Sequence, residues 1–167
     1  MEELNQVKQQ IKTFVKDCND PRSLELFDLL SEGKMLRSKL ILKIAGVSDE
    51  TIKLCAVVEM IQSASLLHDD VIDESSLRRG LKTPNSIWGN QSSILVGDYL
   101  LSRCFEMMVD DGNIEVLKLL SSTSSKIAQG EVLQLQHKGE VDMLEETYFK
   151  IITAKTAELF SAATKVG

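Results

Sequence analysis

Leu66-Leu67-His68-Asp69-Asp70-Val71-Ile72-Asp73-Glu74-Ser75-Ser76-Leu77-Arg78-Arg79-Gly80 is the stretch on which the reading of this chain turns. It joins three aspartates in a D-D-x-x-D pattern to two adjacent arginines. An apolar run from Leu54 to Leu67 leads into it, so the aspartates close a helix that is apolar on nearly every side. At about 100° of turn per residue, Asp69 and Asp73 share a face while Asp70 stands to one side. Two carboxylates one turn apart suit a hard cation that keeps some waters and completes its shell with phosphate oxygens. That describes Mg²⁺ better than zinc, which favours His and Cys. Arg78 and Arg79 suit the phosphate, because guanidinium forks grip it at two points.

A solvated acidic face is the plainer reading of three aspartates on a helix. Two features count against it. The run before them is buried in character, and they sit at the helix's C-terminal end, where the macrodipole disfavours negative charge. No Lys or Arg in the last turn offsets that, and a cation would. One polar stripe, Gln62, Ser65, Asp69 and Asp73, interrupts the apolar surface at three- and four-residue spacing. Either neighbouring helices satisfy it, or it lines a cavity with the aspartates at the mouth; the second reading is favoured.

Upstream, Gly33-Lys34-Met35-Leu36-Arg37-Ser38-Lys39 puts Lys34 and Arg37 one turn apart at a helix start. Free N–H groups there already attract an anion, so added cations are unfavourable unless one arrives. With Arg78 and Arg79 they make a second candidate phosphate site in a chain that is acidic overall. The 167 residues carry 19 Lys and Arg against 25 Asp and Glu, a formal charge of −6. Such a balance argues against nucleic acid and shows no basic membrane-binding face.

Helix follows helix along the chain. An amphipathic helix is expected over 2–17, with Leu4, Val7, Ile11, Phe14 and Val15 on one side. Asp20-Pro21 opens a second through about Leu30, and a third runs from about Met35 to Ala45 and stops at Gly46. Ser48 caps the long helix, and Thr83-Pro84 opens a short turn around Trp88. Helices over about 91–109 and 114–138 flank Asp110-Asp111-Gly112-Asn113, and Gly139 ends the second of them. Asp142-Met143-Leu144-Glu145 is read as a capping-box-like start for a last helix up to Gly167. No strand is expected. Cys18, Cys55 and Cys104 are widely spaced, as reduced thiols would be. The start of the chain shows no signal-peptide pattern and no apolar run reaches membrane-spanning length, so a cytoplasmic location is expected. With no repeat and no linker to divide it, the chain is expected to form one all-α domain over 1–167.

Gly33-Lys34-Met35-Leu36-Arg37, Leu67-His68-Asp69-Asp70-Val71-Ile72-Asp73, Leu77-Arg78-Arg79-Gly80, Trp88-Gly89-Asn90, Gly97-Asp98-Tyr99-Leu100-Leu101, Gln129-Gly130-Glu131 and Lys155-Thr156-Ala157 follow one another in order. In that order and spacing, over roughly 30–165, the chain resembles the trans-polyprenyl diphosphate synthases. The resemblance implies an antiparallel all-α helical bundle around a central cavity, usually a homodimer or higher assembly. It implies Mg²⁺-dependent condensation of isopentenyl diphosphate with an allylic prenyl diphosphate.

It also implies roles. Asp69 and Asp73, with Asp70 in support, match the motif that binds Mg²⁺ and the allylic diphosphate. Arg78 would contact that diphosphate, with Lys155 and Thr156 holding it from the opposite wall. Lys34, Arg37 and Arg79 match the isopentenyl diphosphate site. Gln62 stands where many members have His, and either side chain donates a hydrogen bond. Ser38 replaces a proline common after the arginine. Ala64 and Ser65, five and four residues before Asp69, are small where aromatic residues accompany short products, so a long chain, heptaprenyl to octaprenyl, is expected.

The resemblance places a second aspartate-rich motif well beyond the lysine–threonine pair, and these residues do not contain it. Asp110-Asp111 does not substitute, since Ile114 takes the third acidic position and the pair is expected in a turn. The chain is therefore expected to cover the N-terminal portion of such an enzyme and to lack activity alone. Apolar residues such as Ile151, Ile152, Leu159 and Phe160 would then face water. The alternative is a non-catalytic prenyl-diphosphate-binding or regulatory subunit of a heteromeric synthase.

Overall fold

The computed structural model describes residues 2–16 and 33–167. Its helices are α1 (Glu2–Lys16), α2 (Leu36–Ala45), α3 (Asp49–Ile72), α4 (Pro84–Trp88), α5 (Asn90–Asp111), α6 (Ile114–Gln136), α7 (Glu145–Ile152) and α8 (Glu158–Val166). A π-helical turn, Thr153–Ala157, joins α7 to α8. The helix expected after Asp20-Pro21, and Cys18, lie outside the described residues.

α3 is the axis of an all-helical bundle. It packs most extensively on α5, then on α1 and α2, and it also touches α6 and α8. That follows from its composition, since a helix apolar on all sides must be covered on all sides. Cys55, Ala56, Val58, Ala64 and Leu67 are fully buried, with Met60 and Ile61 nearly so. Truncating a residue such as Ile61 to Ala would cost about 2–5 kcal/mol. Two thiols tie neighbouring helices to one another: Cys55 donates to Ser38 O and Cys104 to Val57 O, both at 3.6 Å. Both cysteines are free and buried, and burial pushes each thiol up to about 12.

Caps fix where α3 begins and where its neighbours stop. Ser48 Oγ accepts from Thr51 N, and Thr51 Oγ1 accepts from Ser48 N, a reciprocal capping box. Gly46 ends α2 at φ 79°, a conformation open to glycine at little cost.

The structure corrects several local expectations. Leu77–Arg78 and Leu81–Lys82 pair as an antiparallel hairpin, with Arg79 and Gly80 at positive φ in its two-residue turn. Two-residue strands show no alternation, so periodicity had nothing to report. Asp110 and Asp111 belong to the last turn of α5, which Gly112 closes in the left-handed region, rather than to the connection between helices. α6 ends at Gln136, short of Gly139. The last helix starts from Leu144, with no side-chain cap from Asp142. Glu145 and Glu146 in its first turn suit the macrodipole without one. That helix is also not continuous, because the π-helical turn interrupts it. Ile151 and Leu159 do not face water: they are 5 % and 0 % exposed, since α7 and α8 pack back onto α6 and α2. Ile152 is exposed, and Phe160 is half-buried beneath Arg37. Among the described residues no helix is long and apolar enough to cross a membrane.

Candidate active site

The end of α3 divides the three aspartates by role. Asp70 is fully buried and points at the hairpin: Arg78 Nε donates to both its oxygens at 3.0 Å, and Arg78 Nη2 donates to Oδ1 at 2.7 Å. Its backbone carbonyl accepts from Ser75 N and Asn85 Nδ2, so Asp70 anchors the loop that carries the arginines. The Asp70 bonds, the largest effect, raise the Arg78 guanidinium's pKa further. Asp69 keeps a carboxylate 18 % exposed, and Arg78 Nη2 reaches its Oδ2 at 3.3 Å. Asp73 is the helix's C-cap residue, its N–H donating to Asp69 O at 2.8 Å, with a carboxylate 35 % exposed.

The facing wall comes from α6 and the π-helical turn. Lys155 Nζ donates to Asp69 Oδ1 at 3.0 Å and to Gln134 Oε1 at 2.7 Å, and it lies 2.8 Å from Glu131 Oε2. The turn comes close because Gly130 has no side chain: a Cβ there would sit 2.7 Å from Ala154 Cβ and 3.1 Å from Lys155 N. π-helical turns recur at functional sites, where the extra residue re-aims a side chain. Burial, the largest effect, raises the Glu131 carboxyl's pKa; Lys155 opposes it, and the charges of Asp69 and Asp73 reinforce it. Burial pulls the Lys155 ammonium down, but its bonds to Glu131 and Asp69 outweigh that and its pKa is raised. Thr156, beside it, is exposed.

Glu131, Gln134 and Lys138, whose Nζ lies 3.8 Å from Asp73 Oδ1, had no assigned role from the sequence. Part of the signal was present: Glu131 and Gln134 are three residues apart on one face of α6, whereas Lys138 lies in the turn beyond the helix end.

The second basic group assembles from two segments. Arg79's guanidinium lies against Gly33, so close that a Cβ on Gly33 would be 3.0 Å from its Nη1, which brings it to the residue that precedes Lys34 in the chain. Arg37 stacks 4.2 Å over the Phe160 ring, and its buried Nε finds no hydrogen-bond partner among the described residues. On α3, Gln62 and Ser65 are half-buried and linked, Ser65 Oγ donating to Gln62 O at 2.8 Å. Ala64 is fully buried in the core.

Among the described residues no three His, Cys, Asp or Glu side chains form a ready-made metal cage. Asp69 and Asp73 nonetheless fit a hard cation of the Mg²⁺ type, which takes one or two carboxylates and fills its shell with water and phosphate oxygens. The lysines and arginine around them suit the same phosphate. A cavity of about 550 Å³ opens at the other end of α3; Leu54, Val57 and Met108 line it together with the charged Glu50, Lys53 and Asp110. By helical rise, Leu54 is roughly 22 Å from Asp69.

Residues 24–167 match the family model described as Polyprenyl synthetase. The chain is 46 % identical over 138 residues to the all-trans-nonaprenyl-diphosphate synthase (geranyl-diphosphate specific) of Rhodobacter capsulatus, covering 80 % of this chain and 42 % of that one. The structure of octaprenyl pyrophosphate synthase from Helicobacter pylori superposes with a TM-score of 0.90 at 31 % identity, covering 99 % of this chain and 56 % of that one. The polyprenyl synthase from Caulobacter crescentus CB15, complexed with calcium and isoprenyl diphosphate, gives a TM-score of 0.85 at 38 % identity, covering 99 % and 52 %. The chain thus spans about half the length of these proteins.

Proposed function

Because the chain belongs to the polyprenyl synthetase family, we propose that it forms the catalytic half of a Mg²⁺-dependent trans-prenyltransferase that carries the allylic diphosphate site. The reaction joins isopentenyl diphosphate head-to-tail to an allylic prenyl diphosphate, giving a long-chain, octaprenyl-like all-trans product. One observation carries this reading. Asp69 and Lys155, far apart in sequence, meet at 3.0 Å beside Arg78, so carboxylate and cation from opposite walls converge where a diphosphate would lie.

Asp69 and Asp73 would hold the metal, which when bound supplies Lewis-acid stabilisation to the departing diphosphate. Lys155 and Arg78, with Thr156 alongside, bind the same diphosphate and carry charge as it leaves. Asp70 keeps Arg78 aimed. Lys34, Arg37 and Arg79 hold the isopentenyl diphosphate. The allylic carbon–oxygen bond breaks, diphosphate leaves and an allylic cation forms; the isopentenyl double bond attacks that cation, and the new cation loses a proton from its neighbouring C2, with the released diphosphate as acceptor, to leave the product double bond. Gln62 donates a hydrogen bond beside them. Small Ala64 and Ser65 put no bulky side chain one turn below the aspartates, which suits a growing tail. We place the protein in the cytoplasm, as one domain that associates into a homodimer or larger assembly.

The calcium and isoprenyl diphosphate described for the Caulobacter crescentus protein support a cation-plus-diphosphate site in the family. The deciding experiment is titration of a non-hydrolysable allylic diphosphate analogue with and without Mg²⁺. Binding that needs the metal supports the reading, and equal binding under both conditions overturns it.

A further inference from the structure

Arg37 lies in the first turn of α2, and that turn is capped in an unusual way. Met35, the N-cap residue, is in the left-handed region at φ 46° and has no side-chain oxygen to offer. Glu59, on α3, supplies the acceptor instead. Its Oε1 takes a hydrogen bond from Ser38 N at 3.2 Å and another from Ser38 Oγ at 2.7 Å. Ser38 is fully buried, so this bond is not shared with bulk water. Glu59 also extends the polar stripe of α3 by one turn beyond Gln62.

We propose that Glu59 is a positioning residue for Arg37: it pins the start of α2 to α3 and so fixes the guanidinium that receives isopentenyl diphosphate. This rests on the reading of Lys34, Arg37 and Arg79 as the isopentenyl diphosphate site. Phe160 fixes the plane of the guanidinium from α8, and Glu59 fixes the backbone beneath it, leaving the Nε edge unused by the described residues. Burial, the larger effect, lowers the Arg37 pKa and the Glu59 charge offsets part of it, so the carboxylate also acts on the guanidinium through its field.

Calorimetric titration of isopentenyl diphosphate, and separately of an allylic diphosphate analogue with Mg²⁺, tests this on wild type, Glu59→Ala, Glu59→Gln and Arg37→Ala. Glu59→Ala should weaken isopentenyl diphosphate about tenfold and leave the allylic analogue within about twofold, the size expected from one lost buried acceptor. Glu59→Gln keeps an oxygen acceptor for Ser38 and should recover most of the loss. Equal weakening of both ligands would mean a general structural role and overturn the proposal. So would unchanged isopentenyl diphosphate affinity in Glu59→Ala while Arg37→Ala loses it. If wild type and Arg37→Ala bind isopentenyl diphosphate alike, the site assignment itself fails, and the role of Glu59 with it.

Discussion

Lys155 Nζ lies 3.0 Å from Asp69 Oδ1 although 86 residues separate the two in the chain. The ammonium is also held by Glu131 and Gln134, so it does not depend on Asp69 for its place. Asp69→Ala should therefore leave the fold standing, with unfolding free energy changed by about 1 kcal/mol. Mg²⁺-dependent binding of the allylic analogue should disappear in Asp69→Ala and in Asp73→Ala. Circular dichroism and calorimetry on the same samples check both halves; retained metal-dependent binding in either variant would contradict the assignment.

Glu131 makes a prediction in pH. Its folded pKa is raised above the ordinary 4.5, chiefly by burial. The folded state therefore binds its proton more tightly than the unfolded state does. Its contribution to stability is fully present below the unfolded value and is lost as pH rises through the raised one. Glu131→Gln should flatten the stability profile in the window just above pH 4.5. Urea melts at closely spaced pH values read this directly, and an unchanged slope would show that Glu131 is not the group responsible.

What the sequence revealed, and what it hid, follow from how local the signals were. The all-round apolar character of residues 54–67 announced a central helix, and the structure puts α3 at the axis. The i,i+4 spacing of Asp69 and Asp73 announced a shared face, and both remain partly exposed at the helix end. Asp70 was harder to read. Its burial depends on Arg78 folding back across a hairpin too short to show a period. By spacing alone Lys155 reads as any helix lysine, and only the family resemblance gave it a role, because the π-helical turn that aims it has no sequence period of its own. The capping of α2 by Glu59 was invisible for the same reason, being a contact between helices.

Gly130 sets how near the π-helical turn comes to α6. A methyl group there would need about the space now occupied by Ala154 Cβ. Gly130→Ala should cost about 1–3 kcal/mol, the usual range for overpacking. It should also weaken the allylic analogue, since Lys155 moves with its own backbone. A variant as stable as wild type, with unaltered binding, would show that the contact has slack.

Ala64 tests product length. It is fully buried, so Ala64→Phe should both shorten the product of an enzyme carrying this segment and lower stability by about 1–3 kcal/mol. Ser65→Phe, at a half-buried position, should shorten the product at a smaller cost. Chromatography of the dephosphorylated products distinguishes chain lengths. A folded Ala64→Phe variant with the wild-type product would separate this position from chain length.

The outer face of α5 carries the last prediction. Leu95 is 66 % exposed and Val109 62 %, with Phe105 at 42 %, and helical spacing puts all three on one stripe. On α6, Val132 and Leu135 are also exposed. Apolar patches of several hundred Å² are uncommon on monomers and are generally covered by association. The chain should therefore scatter light as a dimer or larger species. Charge placed in the stripe should undo this: Leu95→Lys combined with Val109→Lys should give a monomer whose helical content is unchanged, because neither side chain belongs to the buried core. Wild type behaving as a compact monomer would show that these residues are merely exposed. Persistence of the dimer in the double variant would move the interface to another face.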